Sequence, residues 1–179
     1  MSSIDLAGFI TDVKGQAVHH GFHVHDERHF METYSLRQWW EVDLHPESGC
    51  GSPMELHLAL DVDPRVLLAF DDAVTTAADP DSIPDDFFFP LTLTWTLPAP
   101  TIDLLNLALN LAGLTGMSLP LEVAATDSYG SPAAAPERAI SVTARRSVSL
   151  SKILEGEETI VETLQRANDV SLFLLKLVQ

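Results

Sequence analysis

The chain has 179 residues, with 26 Asp and Glu against 10 Lys and Arg, a single cysteine and a formal net charge of -16. This balance excludes nucleic acids and anionic membrane surfaces as expected partners, because both bind through Lys and Arg, and it favours a basic protein or a cation. One cysteine excludes an internal disulfide, and the chain shows neither a signal-peptide pattern nor an apolar run long enough to span a membrane, so we expect one cytoplasmic domain over residues 1–179.

The N-terminal segment predicts a helix from about Ser3 to His19. Apolar residues recur there at helical spacing and would form one buried stripe. Ser2 is the expected capping residue, and Gly21 suits a left-handed conformation just beyond the helix. Residues 22–32 are polar and predict a connector that leads into the first strand.

The most regular pattern of the chain lies between Thr33 and Val62. Apolar and polar residues alternate with a period of two in two runs, 34–45 and 54–62, which is typical of strands with one face in the core and one in water. The Gly-, Ser- and Pro-rich segment between them predicts an antiparallel hairpin. Adjacent residues of a strand face opposite sides, so we expect Trp40 in the core and Trp39 on the polar side.

The chain after this hairpin predicts further helices and strands. Asp63 and Pro64 have the form of a helix N-cap followed by proline at the first helical position, which predicts a helix over Pro64–Ala78. The alternative is that Val66–Phe70 continues the sheet. An acidic, proline-containing loop is expected at 79–86. The later elements are a strand at Leu91–Leu97, a helix capped by Thr101 and ended by Gly113 or Gly116, strands at Leu119–Ala125 and Ile140–Val148 on either side of a loop at 129–136, a turn at Ser151–Glu155, and a helix from Ile160 to Val178.

The order of these elements is α-β-β-α-β-α-β-β-α. Hairpins dominate it, and strands and helices do not alternate regularly. This order predicts a single α+β domain with a mainly antiparallel sheet of about five strands and with helices packed mostly on one face. The other face of the sheet would be polar and open to solvent.

This polar face is the first candidate site. Asp43 and His45 share it with Glu55 and His57, and opposed residues of an antiparallel pair lie about 4.5–5.5 Å apart, within reach for acid–base partners. The register of the hairpin is open, and a merely solvated sheet would show the same residue types. The expected binding residues are Trp39, Glu41, Asp43, His45, Glu55 and His57.

The histidines are the second candidate site. All seven lie within the first 57 residues, and five fall between His19 and His29. Imidazoles beside carboxylates suit zinc or nickel, so His23, His25 and His29 are the expected ligands of a possible transition metal. Their spacing matches no established signature, and proton sensing or a solvated connector are the alternatives.

Other motifs point to no catalytic residue. Asp61-Val62-Asp63 has the form of a metal-binding acidic pair, but capping of the next helix explains it. Cys50 lies between glycines, with no neighbour in sequence that would activate it. The sequence therefore favours a non-enzymatic acidic binding module that acts through the polar sheet face. The alternative is a metal-dependent or acid–base enzyme that uses residues 19–29 and the hairpin face.

The C-terminal helix bears on assembly. Residues 172–178 are apolar nearly all round, and only one side of the helix can pack on the sheet. The rest would form a patch that monomers seldom expose. The pattern predicts a homodimer with two-fold symmetry.

Overall fold

The computed structural model of the chain describes residues 4–79, 82–131 and 135–178. Within these ranges it contains a six-stranded antiparallel sheet and five α-helices, which confirms the predicted α+β class with one strand more than expected. In chain order the elements are α1 (Leu6–His19), β1 (Phe22–Met31), β2 (Gln38–Pro46), β3 (Glu55–Val62), α2 (Pro64–Thr76), β4 (Phe88–Pro98), α3 (Leu104–Thr115), β5 (Leu121–Ser128), β6 (Glu137–Ser149), α4 (Leu150–Glu155) and α5 (Val161–Val178).

The sheet has the spatial order β1-β2-β3-β4-β6-β5, and every neighbouring pair is antiparallel. β1 and β5 are the two edges. α1 packs against β1 and β2, α5 against β2 and β4, and α3 against β5. The inward residues of the central strands, such as Leu58, Leu93 and Val142, have no exposed surface and join these helices in one core.

α5 is fixed over the middle of the sheet by a buried hydrogen bond. The indole Nε1 of Trp95 on β4 donates to Oγ of Ser171 over 2.8 Å, and neither residue is exposed. Ser171 donates in turn to the carbonyl of Ala167, also over 2.8 Å. Because α1, α3 and α5 occupy this face, the outward residues of the strands lie on a face that no described helix covers.

The predicted connector at 22–32 is wrong, because Phe22–Met31 forms the edge strand β1. An edge strand buries little surface, and only Phe22 is fully buried here, so the apolar alternation that marks a strand is missing. The pairing with β2 also shifts by one residue between Val24 and Asp26. This β-bulge interrupts the period of two that sequence reading relies on.

The start of the predicted hairpin is also wrong, because β2 begins at Gln38. Residues 32–37 form the turn between β1 and β2, closed by a 2.8 Å bond from the backbone N–H of Glu32 to the carbonyl of Arg37. Tyr34 and Leu36, which the alternation placed in the core, are therefore exposed. Leu36 has a φ of 57°, the left-handed region that a leucine rarely adopts.

Two helix caps differ from those expected. Asp5 caps α1, because its side chain accepts a 2.8 Å bond from the N–H of Gly8, while Ser2 lies outside the described residues. Asp103 rather than Thr101 caps α3 and accepts from two backbone N–H groups. Aspartate also interacts favourably with the positive end of the helix dipole, which explains its preference over a hydroxyl.

The remaining predicted helices, turns and loops have different outcomes. α2 is confirmed, with Asp63 as its cap, and the alternative that the sheet continues there is wrong. The turn expected at Ser151–Glu155 is instead the short helix α4. Positions 80–81 of the acidic loop and 132–134 of the later loop lie outside the described residues.

The C-terminal helix is covered on more sides than expected, although Leu172 remains 37% exposed. α5 lies on the sheet and contacts both α1 and α3, so that Leu174 and Leu175 are buried. Contacts within one chain therefore cover much of the apolar surface on which the homodimer prediction rested, and the homodimer stays a prediction. α3 exposes the side chains of Leu105 and Leu109. Among the described helices, none combines the length and apolarity needed to cross a bilayer.

Candidate functional site

The outward residues of β2, β3 and β4 form the polar face, which carries all six side chains expected to bind. The register opposes Asp43 to His57, and His57 in turn to Thr94. Opposed residues of antiparallel strands share a face, and residues two apart along a strand share it too. The polar face is therefore made of Trp39, Glu41, Asp43, His45, Glu55, His57, Ala59, Asp61, Thr92, Thr94 and Thr96.

Arg28 of β1 lies at the centre of the charges on this face. Its Nε donates to Glu41 over 3.1 Å and its Nη2 to Asp43 over 3.0 Å, while Nη1 also contacts Asp26. Hydrogen bonds to Asp43 and then Glu41 raise the pKa of Arg28 above its ordinary value, so the guanidinium stays charged. Sequence reading missed this residue because it was assigned to the connector. One arginine thus ties three carboxylates together.

Asp43 and His57 form a carboxylate–imidazole pair across the two strands. Nδ1 of His57 lies 2.7 Å from Oδ1 of Asp43, and its Nε2 lies 3.6 Å from Oε1 of Glu41. Partial burial acts to raise the pKa of Asp43, but the hydrogen bonds with Arg28 and His57 outweigh it, and the pKa lies below its ordinary value. Asp43 is therefore ionised at neutral pH, and its Oδ1 accepts a hydrogen bond from the Nδ1–H of His57.

A groove of about 520 Å³ opens beside this pair. The rings of His25 and His45 meet edge-on across it, with 4.5 Å between their centroids, and Nδ1 of His45 is buried without a hydrogen-bond partner in the part of the chain that the structure describes. Glu55 is exposed and forms no ion pair within the described ranges. The groove is lined by His25, Arg28, Asp43, His45, Glu55, Leu56, His57, Thr94 and Thr96.

A second cavity of about 500 Å³ lies on the same face of the same strands. It lies beside Trp39, whose indole stacks on Phe30 with 5.1 Å between ring centroids. Arg37 donates to Asp61 at its rim, with Nε 2.9 Å from Oδ1. β3 supplies Glu55 and His57 to the first cavity and Ala59 and Asp61 to the second. We call the two together the polar trough.

The three expected metal ligands are not brought together. Nδ1 of His23 lies 3.2 Å from Sγ of Cys50, whereas His25 meets His45 in the groove. His29 is opposite Trp40, on which its ring stacks at 3.8 Å between centroids. Within residues 4–79, 82–131 and 135–178, no group of three or more His, Cys, Asp or Glu side chains is placed to hold a metal ion. The extended, bulged strand separates side chains that a loop could have gathered.

The two adjacent tryptophans are both half-buried. Trp40 is opposite Leu60 and packs against the core, and Trp39 is opposite Asp61 on the polar face. The two tryptophans therefore face opposite sides of the sheet, as the alternation predicted. Trp40 is less buried than expected because it lies near the β1 edge, where His29 is its ring partner.

Comparison with protein-family models, with curated proteins and with solved structures finds no match for this chain. The chemistry of the polar trough is therefore the main guide to function. Its central groove and its surroundings carry four carboxylates, Asp26, Glu41, Asp43 and Glu55, against the single guanidinium of Arg28. The central groove and its surroundings therefore carry an excess of negative charge.

Proposed function

We propose that the protein is a non-enzymatic binding module whose polar trough holds a basic segment of a partner protein. The observation that carries the proposal is the line of two cavities on the one face of the sheet that no described helix covers. From Glu55 to Asp61 the trough follows β3 for roughly 20 Å, which is the length of about seven extended residues. An extended chain would span both cavities.

The trough offers several groups to a basic segment. Glu55 is exposed and has no ion pair within the described ranges, so it is free to accept from a Lys or Arg side chain. Ionised Asp43 adds a second negative charge, and the hydroxyls of Thr94 and Thr96 can bond to a peptide backbone. The face of Trp39 at the other end suits a cation–π contact.

The charge of the whole molecule supports the same partner. A net charge of -16 attracts a basic partner over a distance of about the Debye length, roughly 8 Å at physiological salt, and raises its association rate. Binding should therefore weaken as salt is added. A neutral or acidic segment would gain nothing from this field.

The test is fluorescence anisotropy with labelled decapeptides that are basic, neutral or acidic. Glu55→Gln should weaken binding of the basic peptide about three- to tenfold, by analogy with loss of one partly exposed charge contact, and Trp39→Ala should weaken it about tenfold or more. Glu157→Gln is the matched control, since it removes the same charge from an exposed site away from the trough. Equal losses for Glu55→Gln and Glu157→Gln, or no binding of the basic peptide, would count against the trough.

A second candidate function is acid–base catalysis in the groove. The 2.7 Å contact between Asp43 and His57 favours it, because a carboxylate that orients an imidazole is a common general-base arrangement. An enzyme of this kind should hydrolyse an activated ester, and His57→Gln should abolish that activity. His19→Gln, at an exposed site on α1, should leave it unchanged. Equal activity of the two variants would reject the enzyme.

We also propose that the chain forms a two-fold homodimer. α5 is largely covered by the sheet, α1 and α3, whereas α3 retains the more exposed apolar side chains of Leu105 and Leu109. A dimer would present the trough twice, and a partner with two basic segments would then bind with higher avidity.

A further inference from the structure

We infer that two copies of this chain pair through β5 and α3, in an antiparallel two-fold arrangement that extends the sheet across both copies. The inference rests on the proposed homodimer and is independent of the polar trough. β5 is an outer strand of the sheet and pairs with β6 in an unbroken register, from Leu121 opposite Ala144 to Ser128 opposite Glu137. The outer side of β5 therefore presents backbone N–H and C=O groups that no other described strand pairs with.

The two edges of the sheet differ in a way that favours β5. β1 carries a bulge at His25 and three consecutive charged residues, Asp26 to Arg28, and both features oppose pairing with another strand. β5 has no bulge, no proline and no lysine. Its two acids are already paired with arginines of β6, since Glu122 contacts Arg145 and Asp127 contacts Arg138.

α3 adds an apolar stripe next to this edge. Leu105 is 67% exposed and Leu109 is 61% exposed, and they lie four residues apart on one side of the helix. Ala112 continues the same line and is exposed, and Met117 projects just after the helix. α3 packs on β5, so the open edge and the exposed leucines belong to one end of the molecule.

The lack of charge on this surface permits a second copy of the chain as the occupant, despite the acidity of the whole molecule. Two copies together carry twice the formal charge of -16, so they can meet only where like charges do not face each other. Residues 104–121, which include all of α3, contain no charged side chain. An open edge also pairs with its own copy in antiparallel fashion across a two-fold axis, which brings each copy's α3 to the same joint.

The size of this surface is compatible with a modest dimer. The edge of β5 is roughly 26 Å long and a sheet with one helix layer is roughly 20 Å thick, so the strip covers on the order of 500 Å² in projection. Stable interfaces bury about 800 Å² of accessible surface on each partner. Interlocking side chains bury more accessible surface than the projected area of the strip, so this strip can approach that value. We expect a dissociation constant in the micromolar range.

The test is sedimentation equilibrium of the full chain from low to high micromolar concentration. The wild type should approach twice the 19.6 kDa monomer mass, and the Leu105→Glu/Leu109→Glu variant should stay at the monomer mass. Leu68→Glu is the matched control, because Leu68 on α2 is 65% exposed, and it should dimerise like the wild type. Circular dichroism establishes that each variant is folded.

A second measurement separates edge pairing from packing of helices alone. Hydrogen exchange of the β5 amides should slow as the protein concentration rises, while exchange at the β1 edge should not change. Added salt should favour the dimer, since it screens the repulsion between two acidic copies.

Three results would overturn the inference. A wild-type monomer at high concentration rejects both the homodimer and its interface. A dimer that survives the double substitution keeps the homodimer but rejects this interface, and β5 amides that do not respond to concentration reject the edge pairing. Because the peptide assay of the trough uses other residues, its outcome can be judged separately from each of these.

Discussion

Replacing Ser171 by alanine should destabilise the fold by about 1–3 kcal/mol, because the indole N–H of Trp95 would be left buried without an acceptor. Both residues are 0% exposed, and the donor and acceptor atoms are 2.8 Å apart. The second bond of the hydroxyl, to the carbonyl of Ala167, matters less. That carbonyl lies inside α5 and keeps the helical bond from the N–H four residues later.

The origin of this destabilisation can be isolated by a double-mutant cycle. Trp95→Phe removes the indole donor together with part of the ring, so it destabilises through lost packing. In that background Ser171→Ala no longer leaves a donor without a partner. Its effect on the free energy of unfolding should therefore fall by about 1 kcal/mol or more, and this difference is the coupling energy of the two side chains.

The assay is urea unfolding followed by far-ultraviolet circular dichroism, at one protein concentration because dimerisation would make stability depend on it. Thr75→Ala on α2 is the control, since that hydroxyl also donates to the carbonyl four residues earlier but accepts from no buried donor among the described residues. It should change the free energy of unfolding by less than about 0.5 kcal/mol. Equal effects of Ser171→Ala in the two backgrounds would refute the reasoning and the placement of α5 over β4.

Three further predictions follow from single side chains. Hydrogen bonds from Ser149 and, to a smaller extent, Ser151 hold the pKa of Asp85 below its ordinary value. These bonds therefore stabilise the fold above about pH 4, and the stabilisation is lost as the pH falls through the pKa of Asp85 in the folded protein. Asp85→Asn should flatten the acid side of the melting temperature against pH. Trp40 is half-buried and its indole N–H lacks a partner in the described residues, so Trp40→Ala should cost less than the about 3–5 kcal/mol of a fully buried aromatic in urea unfolding. Leu36→Gly should leave the free energy of unfolding unchanged or raise it by up to about 1 kcal/mol, because a left-handed φ suits glycine, and a clear loss would contradict strain at this turn.

The central strands could be predicted from sequence because each has one buried and one solvated side. In β3 the buried residues are Leu56, Leu58, Leu60 and Val62, and the residues between them are partly exposed. The same contrast in β4 made its alternation legible. Where a strand faces the core and water in turn, hydrophobicity alone reports its period.

The edge strand could not be predicted in this way. β1 has helix α1 on part of one side and solvent elsewhere, so its residues are selected for polarity as much as for burial. Strand propensity gave no help either, because six of its ten residues are charged or histidine, a composition that resembles a loop. The pairing of β1 with β2 depends on the packing of the whole sheet, which local composition does not encode.

The register of the hairpin was the other unpredictable feature. Sequence alternation placed Asp43 and His57 on one face, but only the geometry of the segment between β2 and β3 sets them opposite each other. A shift of two residues would keep both on the polar face and would separate the pair. The candidate acid–base contact is thus a property of the loop as much as of the two strands.

The bulge in β1 connects these points to the trough. Before it, His23 is opposite His45, and after it Asp26 is opposite Asp43 and Arg28 opposite Glu41, so that all three lie on the polar side. Strict alternation from His23 without the bulge would have turned Arg28 toward the core and left the neighbouring carboxylates without their cation. The additional residue at the bulge, His25, therefore has two effects. It makes the strand hard to recognise in the sequence, and it places Arg28 where it holds the carboxylates of the trough together.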